Sequence, residues 1–287
     1  MAQSTTPSSS FIPLDPILPN SSSSFSINRT SSVTMPTSTS KPPPSLDPSN
    51  YPNGKKSLAG ISLRAFLIGT TLGLSISLTI VLRFLETPLW RIPFFLASLA
   101  LFHFLEYYVT AAYNTRYASI SAFLLSSNGW AYNVAHISAA LECLLAQRFW
   151  PTAAYLNWGV LAPGLKIQVV LGLVFMIIGQ VVRTLAMVQA GSNFNHTVQV
   201  ERKEDHSLVT HGIYAVLRHP SYFGFFWWGL GTQLVLGNVV CFIGYTLVLW
   251  RFFSSRIFRE EKFLIAFFGE DYVEYKKRSF VGIPGIH

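Results

Sequence analysis

Apolar residues in this chain collect into six long runs, at about 58–85, 92–112, 118–146, 166–190, 221–236 and 239–253. Runs near twenty residues with few charges match the thickness of a bilayer's hydrocarbon core at the rise of an α-helix. The pattern therefore predicts an all-α fold, a polytopic transmembrane helical bundle of about six spans. Lys55 and Lys56 precede the first run, and Arg83, Glu86, Pro88 and Arg91 end it. The third is broken by Asn128, Gly129 and Asn133 and is the weakest of the six. Only Gly237 and Asn238 separate the last two, which predicts a tight antiparallel helical hairpin. Residues 1–57 are crowded with Ser, Thr and Pro and carry few large apolar side chains. They are predicted to form a disordered arm ahead of a membrane domain at 58–287. No charged segment leads there into an apolar core with a cleavage site, so the arm is not read as a secretory signal.

Composition removes the soluble alternative: 50% of the residues are hydrophobic and only 12% charged, about half the charged share of a soluble domain. A net charge of +8 would by itself fit a nucleic-acid-binding protein. The cations, however, flank the apolar runs and fill the polar stretch at 191–219, the placement of membrane anchors, and no nucleic-acid partner is expected. With an even number of crossings, both termini share a face with Lys55, Lys56, Arg116, Arg202, Lys203, Arg218, Arg256, Arg259, Lys262, Lys276, Lys277 and Arg278. Arg83, Arg91 and Arg148 fall near the other. The positive-inside rule makes the crowded face cytosolic, so the sequons at Asn20, Asn28 and Asn195 are expected to carry no glycan. Cys143 and Cys241 lie in separate runs without metal-type spacing, which points to packing rather than to a disulfide or zinc site.

Candidate chemistry concentrates between Arg183 and His287. Arg218-His219-Pro220-Ser221-Tyr222 opens a helix, where Pro220 needs no N–H partner and the free backbone donors favour an anionic group. Beyond the last span, Arg256 and Glu260 are four residues apart and share a helix face. A surface ion pair is the plain reading of that spacing. Their position directly after an apolar span, facing the helix start at Pro220, partly desolvates both charges and points to a site. His103 and Glu106 resemble half of a metal site, but no second such pair occurs in the sequence. A hydrogen-bond network between helices or a cavity lining is predicted instead, with no metal, and Glu142 belongs to the same class. No Gly-rich loop joins a strand to a helix, which excludes a Rossmann-type methyltransferase. Gly229 and Gly231 lie inside an apolar run, where small residues let helices approach closely.

These residues resemble one family, the isoprenylcysteine carboxyl methyltransferases of the endoplasmic reticulum. The resemblance covers about residues 95–287 and is strongest from Arg183 onward. Its blocks are Arg183-Thr184-Leu185-Ala186-Met187, Ala190-Gly191-Ser192-Asn193-Phe194-Asn195-His196, His206-Ser207-Leu208-Val209-Thr210, Gly212-Ile213-Tyr214, Arg218-His219-Pro220-Ser221-Tyr222, Gly231-Thr232-Gln233 and the segment from Arg256 to Glu261, followed by Phe267-Phe268-Gly269-Glu270-Asp271-Tyr272. What the resemblance implies is a multi-pass protein of the endoplasmic reticulum membrane with a cytosol-facing cofactor pocket built from residues 183–287. Gln199, His206, Ser207, Leu208, Val209, Tyr214, His219, Pro220, Ser221, Tyr222 and Glu260 would surround S-adenosyl-L-methionine. Arg256 would face the substrate, the prenylated C-terminal cysteine of CaaX proteins, whose carboxylate becomes a methyl ester. Family members differ in span number, some having eight, and six fits the shorter ones. The N-terminal arm has no family counterpart.

The chemistry suits these residue types. A carboxylate acceptor is already ionised at neutral pH and needs no general base, so alignment and exclusion of water carry the reaction. The fork of Arg256 matches a carboxylate, and Glu260 matches the cofactor's ammonium. Membrane phospholipid methyltransferases and sterol reductases carry blocks similar to Arg218–Tyr222. A phospholipid N-methyltransferase takes an amine acceptor, for which a base is expected where Arg256 stands. A non-catalytic membrane scaffold would use the same charges as anchors and bind no cofactor.

Overall fold

The computed structural model describes residues 47–149, 159–162, 165–204 and 206–287. Most of the arm, including the sequons at Asn20 and Asn28, lies outside them. Residues 47–57, predicted as its end, are folded. Asp47 accepts from the Ser49 N–H at 2.9 Å to start the turn Pro48–Asn50, and the Lys55 carbonyl accepts from Ile120 N at 2.9 Å.

Among the described residues seven α-helices follow: α1 (Leu58–Phe84), α2 (Arg91–Tyr113), α3 (Trp130–Phe149), α4 (Ile167–Ala190), α5 (Pro220–Leu236), α6 (Val240–Phe268) and α7 (Glu270–Arg278). A short antiparallel pair, β1 (Val160–Ala162) and β2 (Leu165–Lys166), precedes α4. Helices α1, α2, α4 and α6 are long and apolar enough to cross a membrane, and the protein is a multi-pass membrane protein. On α1 the side chains of Leu63, Phe66, Leu67, Leu74 and Leu78 are exposed, as expected of a face solvated by lipid tails. Helix α6 runs unbroken for 29 residues, about 43 Å. It thus carries Arg256 and Glu260 well beyond its predicted exit near residue 253.

The third apolar run differs from its prediction. No α-helix forms over 118–129; a 3-10 turn at Ile120–Phe123 ends on Leu124 in the left-handed region, and α3 begins only at Trp130. The polar run Ser126-Ser127-Asn128-Gly129 explains this, because such side chains bond locally to backbone and compete with the helix. Asn128 Nδ2 donates to the Leu124 carbonyl at 3.0 Å. His103 holds the turn from α2 by donating through Nδ1 to the Phe123 carbonyl at 2.8 Å.

The tightest packing is between α4 and α5. A methyl group added at Gly179 would meet the Gly224 carbonyl at 2.5 Å, and one at Gly172 would meet that of Gly231 at 2.7 Å. Both pairs sit in register on antiparallel helices, so backbones touch where larger side chains would hold them apart. At the end of α5, Gly237 adopts φ 79° and its N–H bonds back to the Gln233 and Leu234 carbonyls. Asn238 then ties the turn to α3 through Nδ2 and the Ala139 carbonyl at 2.9 Å, completing the predicted hairpin. Glu142 accepts from the N–H groups of Val239, Val240 and Cys241 at 2.7, 2.8 and 2.6 Å. A carboxylate on the exposed donors of the α6 N-terminus is the favourable arrangement.

Residues 279–287 return along α5 and α6 with Val281, Ile283 and Ile286 buried in a core shared with Phe226, Leu230, Phe253 and Ile257. Trp227 and Trp250 donate their indole N–H groups to the carbonyls of Gly282 and Pro284. This packing fixes α7 beside the start of α5, where the ionisable residues gather.

Candidate active site

Two cavities meet at the start of α5. The smaller, about 120 Å³, is lined by His206, Ser207, Leu208, Val209, Tyr214, His219, Pro220, Ser221, Tyr222 and Glu260, closed by Leu264, Phe268, Tyr272 and Tyr275. The larger, about 490 Å³, lies between α2, the 114–128 segment, α5 and α6, and is lined by Arg183, Phe225, Phe252, Phe253 and Arg256 among others. Phe194, Asn195, Ser221 and Tyr222 belong to both walls.

Tyr222 is the hinge of the geometry. Its hydroxyl donates to Glu260 Oε2 at 2.5 Å and accepts from Arg256 Nε at 2.7 Å. The two charges, predicted to share a face, thus meet through one phenol rather than at the surface, each in its own cavity. His219 stacks on the Tyr222 ring, centroids 5.4 Å apart, with Nδ1 4.0 Å from Glu260 and Nε2 3.3 Å from Glu261. Glu261 is an anchor rather than a lining group. It is buried and also accepts from Arg218 Nε at 2.7 Å and Lys276 Nζ at 2.5 Å, tying α5, α6 and α7 together. Pro220 occupies the first helical position, as its missing N–H favours.

Of the residues singled out from sequence, all the cofactor candidates except Gln199 line the smaller cavity. Gln199 lines two side cavities of about 30 and 50 Å³ that share Asn193, Asn195 and His206 with it. Arg256 lines the larger cavity alone of the two. Among the described residues no cluster of His, Cys, Asp and Glu has the make-up of a metal site.

Behind the larger cavity lies the network expected of Glu106. This carboxylate, 1% exposed, receives both Nε and Nη2 of Arg183, the latter at 2.9 Å, and His196 Nε2 at 3.0 Å. Arg183 Nη1 continues to Ser221 Oγ at 2.8 Å and carbonyl at 3.2 Å, while its guanidinium lies over Phe102 and Phe225. A charge inside an apolar helix needs such a partner. Arg183, Phe194 and the closing residues Leu264, Phe268, Tyr272 and Tyr275 were not predicted as site residues. An arginine within an apolar run was the available signal for the first, and the Phe267–Tyr272 block for two of the last.

Burial pushes the His196 imidazole down to about 4; Glu106 opposes the fall and Arg183 and Arg256 add to it. His196 is therefore neutral near pH 7 and donates Nε2–H to Glu106. With the folded pKa below the ordinary 6.5, its contribution to stability is whole above pH 6.5 and is lost as pH falls toward 4. The loss reaches about 3 kcal/mol. Stability against thermal unfolding is expected to fall with pH between these values and His196→Gln to make that fall shallower; identical slopes would show that His196 does not contribute to it.

Membrane-crossing helices around a polar cavity and a larger, mostly apolar one, joined by a shared wall of ionisable residues, define a polytopic membrane enzyme with a candidate active site at the start of α5. The chain belongs to the isoprenylcysteine carboxyl methyltransferase family. The model of that family matches residues 170–266, which hold most of the lining just described. The protein-S-isoprenylcysteine O-methyltransferase of Saccharomyces cerevisiae is 42% identical over 84% of this chain and 97% of its own length. The Homo sapiens protein of the same name is 42% identical over 79% of this chain and 75% of its own. A solved structure described as the eukaryotic intramembrane Ras methyltransferase, isoprenylcysteine carboxyl methyltransferase, superposes with a TM-score of 0.69 at 36% identity, covering 79% of this chain and 77% of the other.

Proposed function

We propose that the chain methylates the C-terminal carboxylate of prenylated cysteine with S-adenosyl-L-methionine as donor. The observation that carries this reading is the pair of cavities joined at Tyr222, with an anionic residue facing one and a cationic residue the other. When bound, S-adenosyl-L-methionine supplies an electrophilic methyl group on a sulfonium. The smaller cavity fits such a ligand: Glu260 offers a carboxylate to the ammonium, Ser207 and His206 offer polar atoms, and Leu264 and Phe268 offer an apolar wall for a ring.

In the larger cavity, Arg256 grips and orients the substrate carboxylate, with Arg183 a second cation on the same lining. Phe225, Phe252 and Phe253 give the prenyl chain an apolar surface and keep water from the carboxylate oxygen. Tyr222 keeps Arg256 and Glu260 at fixed positions on either side of the shared wall, so that the oxygen and the methyl carbon meet in one orientation. Arg183 is neutralised by Glu106, whereas the charge of Arg256 suits an ionised carboxylate and repels the ammonium form of an amine acceptor.

The same reading places α3 and α5 across the membrane. Helix α5 has 17 residues, about 26 Å, and crosses inside the bundle with nearly all its length buried. Six crossings then put both termini and the two cavities on the cation-rich, cytosolic face of the endoplasmic reticulum membrane, where the hydrophilic donor is reached from water and the prenyl group from lipid. The test is transfer of labelled methyl from S-adenosyl-L-methionine by the purified protein. A base-labile ester on an N-acetyl-S-prenylcysteine and no label on phosphatidylethanolamine are expected; label on the phospholipid alone contradicts the assignment.

A further inference from the structure

Outside the two cavities at the start of α5, a groove of about 750 Å³ lies where α7 ends and residues 279–287 turn back. Lys276 and Lys277, in the last turn of α7, line one end of it. Phe280, Gly282, Pro284 and Gly285, all exposed, line the rest, and no Asp or Glu side chain is on its wall. Two hydrogen bonds set the heights of its ends along α6. Lys276 Nζ donates to Glu261 Oε2 at 2.5 Å, and the indole of Trp250 donates to the Pro284 carbonyl at 2.9 Å. Residues 250 and 261 of one helix are about 16 Å apart. Residues 240–249 of α6 carry no charge and belong to a helix able to cross the membrane. Beyond them Arg251, Arg256, Arg259, Glu260, Glu261 and Lys262 follow, too many charges for hydrocarbon. Trp250 thus stands at the boundary, a depth that favours tryptophan. The groove runs from headgroup level at the lysines to the edge of the hydrocarbon at Pro284.

Both ends are open to a ligand. The side chains of Lys276 and Lys277 are 40% and 64% exposed. Each ammonium has three donors, of which one goes to a carboxylate, Glu261 for the first and Glu274 for the second. The Lys277 pair is a surface pair and weak for that reason. Next to the lysines stand two exposed apolar side chains, Phe280 and Val216, joined through Phe280 N and the Val216 carbonyl at 2.9 Å. Irregular backbone lies against lipid only where its polar groups are satisfied. Trp227 and Trp250 meet that need at the carbonyls of Gly282 and Pro284.

We infer that this groove holds an anionic phospholipid of the surrounding membrane, its phosphate on Lys276 and Lys277 and the upper part of an acyl chain along Phe280 and Pro284. Cations at headgroup depth beside an apolar floor favour a negatively charged diacyl lipid over a zwitterionic one. A soluble anion would meet the lysines and leave the apolar part bare. The inference rests on α6 crossing the membrane and not on the reaction proposed above.

The full chain is reconstituted in nanodiscs of phosphatidylcholine with a minor share of phosphatidylserine of the same acyl chains, and the lipids it retains on release into detergent are identified by native mass spectrometry. The wild type is expected to enrich phosphatidylserine about thirtyfold over its share in the disc, the weight of two lysines at a membrane surface. Lys277→Gln, which leaves the contact of Lys276 with Glu261 in place, is expected to lower the enrichment to about fivefold. Lys276→Gln combined with Lys277→Gln is expected to abolish it. Arg259→Gln combined with Lys262→Gln removes as much charge from the neighbouring part of α6 and is expected to change the enrichment by less than about twofold. Equal retention of the two lipids by the wild type, or equal losses from the α6 and α7 double variants, would overturn the inference. A spectrum with no retained lipid, whether of one copy or two, does the same. Phosphatidylserine with a diazirine high on one acyl chain locates the lipid on the wild type alone, so the decision stands even where a variant fails to fold. Label on residues 280–285 is expected, and label confined to other segments contradicts the proposal.

Discussion

Arg256→Lys is expected to lower single-turnover methyl transfer on the order of a hundredfold, the scale of a reacting group displaced by about 1 Å. The guanidinium has three tasks at once in this geometry. Nε donates to the Tyr222 hydroxyl at 2.7 Å, Nη2 donates to the His196 carbonyl at 2.5 Å, and the remaining donors are left for a carboxylate. Lysine keeps the charge but has a single ammonium on a flexible stem, with no planar fork to hold two fixed partners and present a third face. Because its contacts lie on the side of Tyr222 proposed for the substrate, donor affinity is expected to stay within about twofold. Rapid-quench methylation with saturating donor is the check, and a rate within about threefold of wild type would remove Arg256 from the reaction.

Glu106→Ala is expected to have the largest effect on stability. It leaves Arg183 buried with only Ser221 and two aromatic faces as partners, and loss of one member of a buried pair costs about 3–5 kcal/mol. The same carboxylate receives His196, so the loss extends to the wall shared by the cavities. Thermal unfolding in one detergent for wild type, Glu106→Ala and Glu106→Gln is the measurement. Glu106→Gln, which keeps the shape and one acceptor, is expected to lie between the other two; a loss under about 1 kcal/mol for Glu106→Ala would show the pair to be solvated.

How far the sequence foretold these features follows from the range of the interactions involved. The hairpin at Gly237-Asn238 and the reach of Arg256 and Glu260 on one helix face depend on neighbours in the chain, and both were legible. The third run failed because apolar residues at 118–125 were weighed above the turn formers at 126–129. A tertiary contact that the sequence does not display, His103 with the Phe123 carbonyl, then holds the turn in place. Glu106 was recognised as needing a partner, but its partner stands 77 residues away, and only the packing of α2 against α4 selects Arg183. Of the glycines at 172, 179, 224 and 231 only Gly231 was singled out from sequence, because their register across α4 and α5 appears only when the helices meet. The smaller cavity's residues were gathered through blocks typical of the family. The role of Tyr222 as a bridge between Arg256 and Glu260 was not, because spacing alone makes those two a direct pair.

The division of labour across Tyr222 is tested most directly by the dissociation constant of S-adenosyl-L-methionine for the wild type, Glu260→Gln and Arg256→Lys. Glu260→Gln removes the charge facing the smaller cavity while keeping its shape, and the lost charge-assisted contact of ~1.5–3 kcal/mol corresponds to weakening by at least about tenfold. Arg256→Lys is predicted to leave the constant within about twofold while turnover collapses. Equal weakening by both variants, or weakening by Arg256→Lys alone, would contradict a donor held on the Glu260 side and a carboxylate held on the Arg256 side.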